Sequence, residues 1–148
     1  MMNTPWLCCT FVIVVGAGLL HAQTGATPKP WKDASIATAF GSFTIEGVDV
    51  GDKFPPGCRG SGNDCRPANA GYKVLVVWLK AATDAADASG KLMDVLGKVA
   101  VKSDDGARTE NFSGGMMNAK LFVAFTPPVA GKNFVLYWGE NAPISLGK

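Results

Sequence analysis

The segment from Tyr72 to Leu79 (YKVLVVWL) constrains the fold of this chain more than any other segment. Beyond Lys73 its residues are apolar at both odd and even positions, whereas a strand with one face in water alternates between apolar and polar residues. A strand that is apolar on both faces needs cover on both sides, so the sequence predicts a central strand of a sheet. We assign Val74, Val76 and Trp78 to one face and Leu75, Val77 and Leu79 to the other.

Other segments also show the period of β-strands. In 43–50 the apolar residues change parity across Gly47, which predicts a β-bulge or bend at that glycine. The clean alternation of 98–102 is followed by Ser-Asp-Asp-Gly, which predicts a hairpin with 107–111 as the second strand. We expect further strands at 120–126, 133–138 and 144–146. Because Gly90 interrupts the alanines of 84–96, we expect a long connection there with at most one helical turn.

Composition supports an all-β fold. The chain has 18 glycines and 9 prolines, and only 18% of its residues are charged against a typical quarter. Five to eight short strands separated by Gly, Pro and Asp turns are typical of an antiparallel β-sandwich. The formal net charge of +2 comes from interspersed acids and bases, which does not favour a nucleic-acid partner.

The N-terminal region predicts export. The uncharged run 7–20 (LCCTFVIVVGAGLL) has the length of a signal-peptide core, is shorter than the roughly 20 residues of a membrane span, and ends at Leu20-His21-Ala22. We predict a signal peptide at 1–22, with an uncleaved anchor as the alternative, and a flexible leader at 23–34. The folded domain would then span 35–148 in an extracytoplasmic location, periplasmic or secreted. Cleavage would remove His21, the only histidine.

Cys58 and Cys65 lie seven residues apart in a loop rich in Gly and Pro. In an exported protein this pattern predicts a disulfide that holds the loop together. A redox-active pair is the first alternative, but such pairs favour a C-x-x-C at the start of a helix. A zinc site is the second, but apart from these two cysteines no Cys or His lies beyond residue 22 to complete four ligands. We therefore expect no metal and no cofactor at this loop.

Two surface features are candidates for contact or modification. The cysteine loop is locally basic and polar, and four of its residues are a possible partner-contact surface: Arg59, Asn63, Asp64 and Arg66. Further along the chain, Asn111-Phe112-Ser113 satisfies the acceptor pattern for N-glycosylation in a eukaryotic host.

Carboxylates are the remaining candidates for chemistry. A glycosidase-like acid pair would draw on Glu46, Glu110 and Glu140, although their positions in the sequence bring no two of them together. Calcium would need oxygen ligands from aspartates, but the spacing matches no calcium loop, and ordinary turn and surface acids are favoured. The aspartates concerned are Asp84, Asp87, Asp94, Asp104 and Asp105.

The order of features resembles a known family. The run 43–51, the long strand 72–80, the Asp-Asp-Gly turn at 104–106, LFVAFTPP and NFVLYW are similar to secreted immunoglobulin-like domains of the immunoprotective extracellular antigen type. The resemblance implies an immunoglobulin-like β-sandwich outside the cytoplasm and implies no reaction. The chain departs from that pattern at Ala81-Ala82-Thr83-Asp84, where the family often has an Asn-Thr-Gly-like turn, and in its cysteine loop.

The sequence therefore predicts a non-catalytic module for binding or envelope association, with a protein or envelope component as its partner and no membrane span after cleavage. One alternative is a carboxylate-dependent extracytoplasmic hydrolase. Another is an accessory subunit that pairs with a partner through the edge of its sheet.

Overall fold

A computed structural model describes residues 25–60, 65–82 and 85–148, so the predicted signal peptide lies outside the described residues. Two short 3-10 turns, Trp31–Asp33 and Leu96–Lys98, connect longer elements. The strands and the helix are, in chain order, β1 (Lys29–Pro30), β2 (Ser35–Thr38), β3 (Gly41–Gly51), β4 (Lys53–Phe54), β5 (Arg66–Pro67), β6 (Val74–Ala81), α1 (Ala85–Val95), β7 (Val99–Lys102), β8 (Arg108–Met117), β9 (Lys120–Phe125), β10 (Val135–Trp138) and β11 (Ile144–Ser145).

Nine of these strands form one curled sheet in the order β1-β11-β10-β7-β8-β9-β6-β3-β2. The first part of β8 pairs with β7 and its second part pairs with β9, so β8 belongs to both halves. We call the half from β1 to β8 sheet A and the half from β8 to β2 sheet B. Phe43 of sheet B stacks on Trp138 of sheet A with ring centroids 6.2 Å apart, within a core that draws on both halves. The prediction of an all-β sandwich is confirmed.

Strand β6 is central, as its sequence predicts. It lies between β3 and β9 in sheet B, and both pairings are antiparallel. Leu75, Val77 and Leu79 belong to the main core, whereas Val74 and Val76 belong to a second hydrophobic cluster on the other face. The strand begins two residues later than predicted, since Tyr72 forms only an isolated bridge with Pro128.

The other predicted strands are also present, with small shifts at their ends. The register of β3 against β6 shifts between Ile45 and Gly47, which confirms the predicted bulge. Strands β7 and β8 form the predicted hairpin, but β8 continues to Met117 instead of ending at 111. Strands β9, β10 and β11 lie within the predicted segments 120–126, 133–138 and 144–146.

The prediction of at most one helical turn at 84–96 is wrong, because α1 runs for 11 residues. Its inner side consists of Ala88 and Leu92, followed by Leu96 in the next turn, and all three are buried in the main core. This spacing of four is a helical signal, and the burial it provides outweighs the cost of Gly90 in a helix interior. No helix among the described residues combines the length and apolar character needed to cross a membrane.

Part of the predicted leader is built into the sandwich. Strand β1 pairs in parallel with β11, and the Lys29 N–H donates to the carbonyl of Pro143 at 3.0 Å. Trp31 packs against the main core and Ala34 is buried in it. The polar, proline-broken sequence hides this role, since a two-residue edge strand leaves too short a pattern to recognise.

Candidate functional site

The outer face of sheet B carries the second hydrophobic cluster. Side chains alternate between the faces of a strand, so the neighbours of main-core residues on β6 and β9 point outward. Four of these outward residues are nevertheless buried: Val74, Val76, Phe122 and Ala124. Phe54 and Ala68 cover them from outside the sheet. Sheet B therefore has apolar contacts on both faces.

The cover is provided by residues 52–60 and 65–69, which we call the stapled hairpin. Strands β4 and β5 pair within it, and the Ala68 N–H donates to the carbonyl of Asp52 at 2.8 Å. The predicted disulfide between Cys58 and Cys65 is confirmed, with the two Cα atoms 5.8 Å apart. From this hairpin Phe54 contacts Phe122 of the sheet, with ring centroids 5.6 Å apart. The hairpin thus closes one end of the outer face and leaves the other end open.

Two β-bulges shape the open part of this face. The register shift in β3 leaves Glu46 as its extra residue, and a second shift in β8, between Asn111 and Ser113, leaves Phe112 as the extra residue. A bulge redirects the side chain of its extra residue and often lies beside a binding site. Here both redirected side chains are exposed and line depressions on the outer face.

Trp78 lies between these bulges in a fixed orientation. Its Nε1–H donates to Asp49 Oδ2 at 2.7 Å. A Cβ at Gly47, its partner on β3, would lie only 3.5 Å from the indole Cδ1, so the ring rests against the β3 backbone. On the β9 side Phe122 has its ring centroid 6.0 Å from that of Trp78. The indole is half-buried and lines the open depression.

Two adjoining depressions make up a groove on this face, which we call the outer-face groove. The Trp78 end has a volume of about 520 Å³ and is lined by Glu46, Gly47, Asp49, Trp78, Met117, Asn118 and Lys120. The Phe112 end has a volume of about 870 Å³. Its lining includes Phe54, Arg66, Asn69, Val74, Phe112 and Thr126. Met117 and Asn118 line both ends, and both volumes are within the range of small-molecule sites.

The turn that presents Asn118 to the groove is strained. Asn118 and Ala119 connect β8 to β9 with φ angles of 50° and 61°. Both values are left-handed, as in the tight hairpin turn that prefers Asn-Gly, and a β-carbon makes this conformation costly for Ala119.

We therefore expect Ala119→Gly to raise the free energy of unfolding by about 0.5–1 kcal/mol, after the entropic cost of glycine is subtracted. Ala37→Gly on β2, where the φ angle is not positive, is the control and should lower it by a similar amount. Urea denaturation measures both variants. If both variants lose the same free energy of unfolding, the backbone at Ala119 is not strained.

Two of the four residues of the predicted partner-contact loop lie in the stapled hairpin. Arg59 and Arg66 are exposed on it, and Arg66 lines the Phe112 end of the groove. Asn63 and Asp64 lie outside the described residues. The sequence did not identify the rest of the groove, because its lining comes from strands that are distant in the chain. The sequence signal that comes closest to indicating the groove is the parity change across Gly47, because it predicts the bulge that places Glu46 there.

The three glutamates considered for an acid pair lie in different parts of the molecule. Glu46 lines the Trp78 end of the groove, whereas Glu140 lines a separate depression beside Trp138 and Asn141. Glu110 Oε1 accepts a hydrogen bond from Arg108 Nε at 2.9 Å. Among the described residues, Glu46 and Glu140 thus line two different depressions, and Glu110 is paired with Arg108 on β8.

Asp104 and Asp105 stabilise turns. Asp104 Oδ1 accepts from the Lys132 N–H at 3.0 Å, which ties the β7–β8 turn to the segment before β10. Asp105 accepts from the Ser103 hydroxyl and the Ala107 N–H, and these hydrogen bonds, the first above all, lower the pKa of its carboxyl group. Within the described ranges, no three acidic or cysteine side chains form a cluster able to hold a metal ion. Asp84 lies outside these ranges.

Asn111, the acceptor residue of the N-glycosylation pattern, forms hydrogen bonds within the protein. With its amide nitrogen turned toward the protein, Nδ2 donates to the carbonyl oxygens of Val99 and Leu96. The side chain that an oligosaccharide would modify is therefore engaged in joining β8 to the segment after α1.

The exposed edge of sheet B is capped by a side chain. Asn141, from the connection between β10 and β11, accepts from the Ala37 N–H at 2.8 Å and donates to the Ala37 carbonyl at 2.8 Å. It also donates to the Trp138 carbonyl at 2.9 Å. These bonds occupy the backbone N–H and carbonyl of Ala37, in the middle of β2, and so obstruct pairing of this edge with another strand.

Asn141→Ala should lower the free energy of unfolding by about 1–2 kcal/mol, because three hydrogen bonds are lost at a partly solvated site. It should also increase self-association through β2, which sedimentation velocity measures. Asn141→Asp keeps the acceptor but places an oxygen against two carbonyls, so it should destabilise at least as much. A fully stable, monomeric Asn141→Ala would contradict the capping role.

Comparison with known proteins yields a likeness of fold. No family model matches the chain, and no curated protein sequence matches it. Among solved structures, the chain is similar to an uncharacterized β-sandwich protein from Clostridium difficile at 11% identity and a TM-score of 0.48, over 81% of this chain and 93% of that one. The class that the fold itself defines is that of β-sandwich proteins.

Proposed function

We propose that this chain is a non-catalytic, extracytoplasmic binding module of immunoglobulin-like type, and that the outer-face groove is its binding surface. The observation that carries the proposal is Trp78, an aromatic ring held in one orientation at the surface by Asp49. Rigid aromatic side chains at the surface provide contact area at low entropic cost. Most of the lining of the Trp78 end also lies on the paired strands β3, β6, β8 and β9, which hold side chains more firmly than loops would.

The carboxylates of the groove favour binding over hydrolysis. Glu46 and Asp49 are both exposed, and Asp49 already accepts the indole N–H. General acids and nucleophiles in hydrolases are usually desolvated so that their pKa suits proton transfer. An open groove with solvated carboxylates is better suited to holding a ligand.

Edge pairing is the less favoured way to bind a partner. Asn141 occupies the outward backbone groups of Ala37 on β2. The opposite edge strand, β1, has two residues and one is Pro30, which has no N–H to donate. The faces of the sandwich are therefore better placed for binding than its edges.

The extracytoplasmic location is supported by the apolar run 7–20 and by the disulfide, since disulfides persist mainly in oxidising compartments. We expect mass spectrometry of the protein from its own cells to find a mature N-terminus at Gln23 or within a few residues of it. Recovery of the intact chain from Met1 in a soluble fraction would contradict export.

Binding is tested by cosedimentation of the mature protein with an envelope preparation from the cells that produce it. We expect Trp78→Ala and Phe112→Ala to reduce the bound fraction strongly. Tyr137→Ala is the matched control, because Tyr137 is a half-buried aromatic on the outer face of sheet A, and it should bind like the wild type.

Thermal melts of each variant confirm that it is folded before binding is compared. Undiminished binding by both groove variants would overturn the proposed surface. Release of cleaved products from the envelope preparation would overturn the non-catalytic proposal.

A further inference from the structure

We propose that the ligand of the outer-face groove is a polysaccharide, with one sugar ring stacked on Trp78. This inference rests on the proposed function and adds the chemical class of the ligand. A sugar ring has an apolar face of C–H groups and a rim of hydroxyls, each of which both donates and accepts hydrogen bonds. A complementary site needs a flat apolar platform surrounded by donors and acceptors.

Trp78 meets the first requirement. The hydrogen bond to Asp49 at 2.7 Å fixes the indole edge, and the β3 backbone at Gly47 supports the ring from one side. Phe122 packs beside it at an interplanar angle of 57°. The platform is therefore organised before a ligand arrives, which reduces the entropy lost on binding.

The polar rim meets the second requirement. Glu46 and Asp49 provide acceptors, Lys120 provides donors, and the Asn118 amide provides both. All four side chains are exposed at the Trp78 end of the groove.

The charges of these side chains bear on the ligand class. The two carboxylates outnumber Lys120 and oppose an anionic ligand, and one of them, Asp49, already accepts the indole N–H. A neutral ligand bearing hydroxyls finds partners among all four side chains.

The groove is longer than one sugar ring needs. At its Phe112 end, Phe112 is 48% exposed and is supported by Phe54 in an edge-to-face contact with centroids 5.5 Å apart. Arg66 and Asn69 add polar groups beside this second aromatic ring. Two aromatic surfaces along one groove suit a chain of sugars better than a single sugar.

Affinity electrophoresis tests the proposal directly. The mature protein is run in native gels containing soluble β-glucan, xylan or galactomannan, and is cosedimented in parallel with purified peptidoglycan. We expect at least one of these probes to bind it, and Trp78→Ala to weaken that binding about tenfold, the order expected for loss of one aromatic contact. Glu46→Gln should weaken it less, and Tyr137→Ala should not change it.

The absence of binding to every probe, or equal binding by Trp78→Ala and the wild type, would overturn the proposal. If Trp78→Ala misfolds, Phe112→Ala still tests the groove, because Phe112 is an exposed bulge residue whose removal should leave the fold intact. A Phe112→Ala variant that binds an oligosaccharide of several rings as tightly as the wild type would also count against a groove-long ligand.

A second arm separates this proposal from the proposed function. The envelope preparation is extracted with organic solvent, digested exhaustively with protease, and tested again. Binding that still depends on Trp78 supports a polysaccharide. Binding that depends on Trp78 before treatment and disappears after it overturns the polysaccharide and leaves the binding module standing. Binding that never depends on the groove overturns both.

Discussion

Replacing Phe125 by Ala is expected to lower the free energy of unfolding by about 3–5 kcal/mol. Phe125 lies on β9, is fully buried, and belongs to the core between sheets A and B. Its removal forfeits the burial of a large aromatic side chain and leaves a cavity that rigid strands cannot fill. This loss is a large share of the stability of a small domain.

Phe112→Ala is the matched control for this substitution, because it removes the same side chain from the neighbouring strand. Phe112 is half-exposed and contacts Phe54, so its loss should cost about 1 kcal/mol. Urea denaturation of both variants measures the difference. If the two variants unfold at the same urea concentration, the core does not lie between the sheets as described.

The second large effect is expected from the disulfide. Replacing both Cys58 and Cys65 by Ser should destabilise the protein by about 2.5 kcal/mol, the loop-closure entropy for a bridge across seven residues. Cys65 is also buried, so a serine hydroxyl in its place adds a cost of its own.

The damage should concentrate in the stapled hairpin. Without the bridge, Phe54 is held less firmly over Phe122, and the outer face of sheet B becomes more exposed to solvent. Hydrogen exchange of 52–69 and of β9 should therefore increase more than that of β7 and β10.

A reductant provides the control for the disulfide prediction. Dithiothreitol should shift the denaturation midpoint of the wild type toward that of the double variant, and should leave the double variant unchanged. A wild type that is insensitive to reductant under denaturing conditions would show that the bridge does not contribute to stability.

The sequence predicted the parts of the fold that are coded by local periodicity. The apolar run of β6, the parity change at Gly47 and the Ser-Asp-Asp-Gly turn each correspond to an observed feature. In all three, the pattern of neighbouring residues determines which face of a strand is buried.

The parts of the fold that the sequence does not predict depend on contacts between segments distant in the chain. The buried spacing of Ala88, Leu92 and Leu96 has meaning only when sheet B lies beneath the helix, and Gly90 obscured it. Likewise, β1 exists only because β11 lies beside it.

The groove was missed for the same reason. The apolar sequence of β6 predicts cover for the face that carries Trp78, yet this residue is half-buried beside an open depression, because the stapled hairpin covers only part of the outer face. Glu46 and Phe112 reach the groove through bulges in strands far apart in the chain. No local pattern places those two side chains on one surface.

Hydroxyl-radical footprinting of the mature protein, with and without the envelope preparation that it binds, tests the central claim most directly. We predict lower oxidation of Trp78, Phe112 and Met117 in the bound state. Met93 on α1 and Phe40 after β2 are exposed away from the groove, so their oxidation should not change. Protection of Met93 or Phe40, with Trp78 and Phe112 oxidised as in the free protein, would show that ligands bind elsewhere on the sandwich.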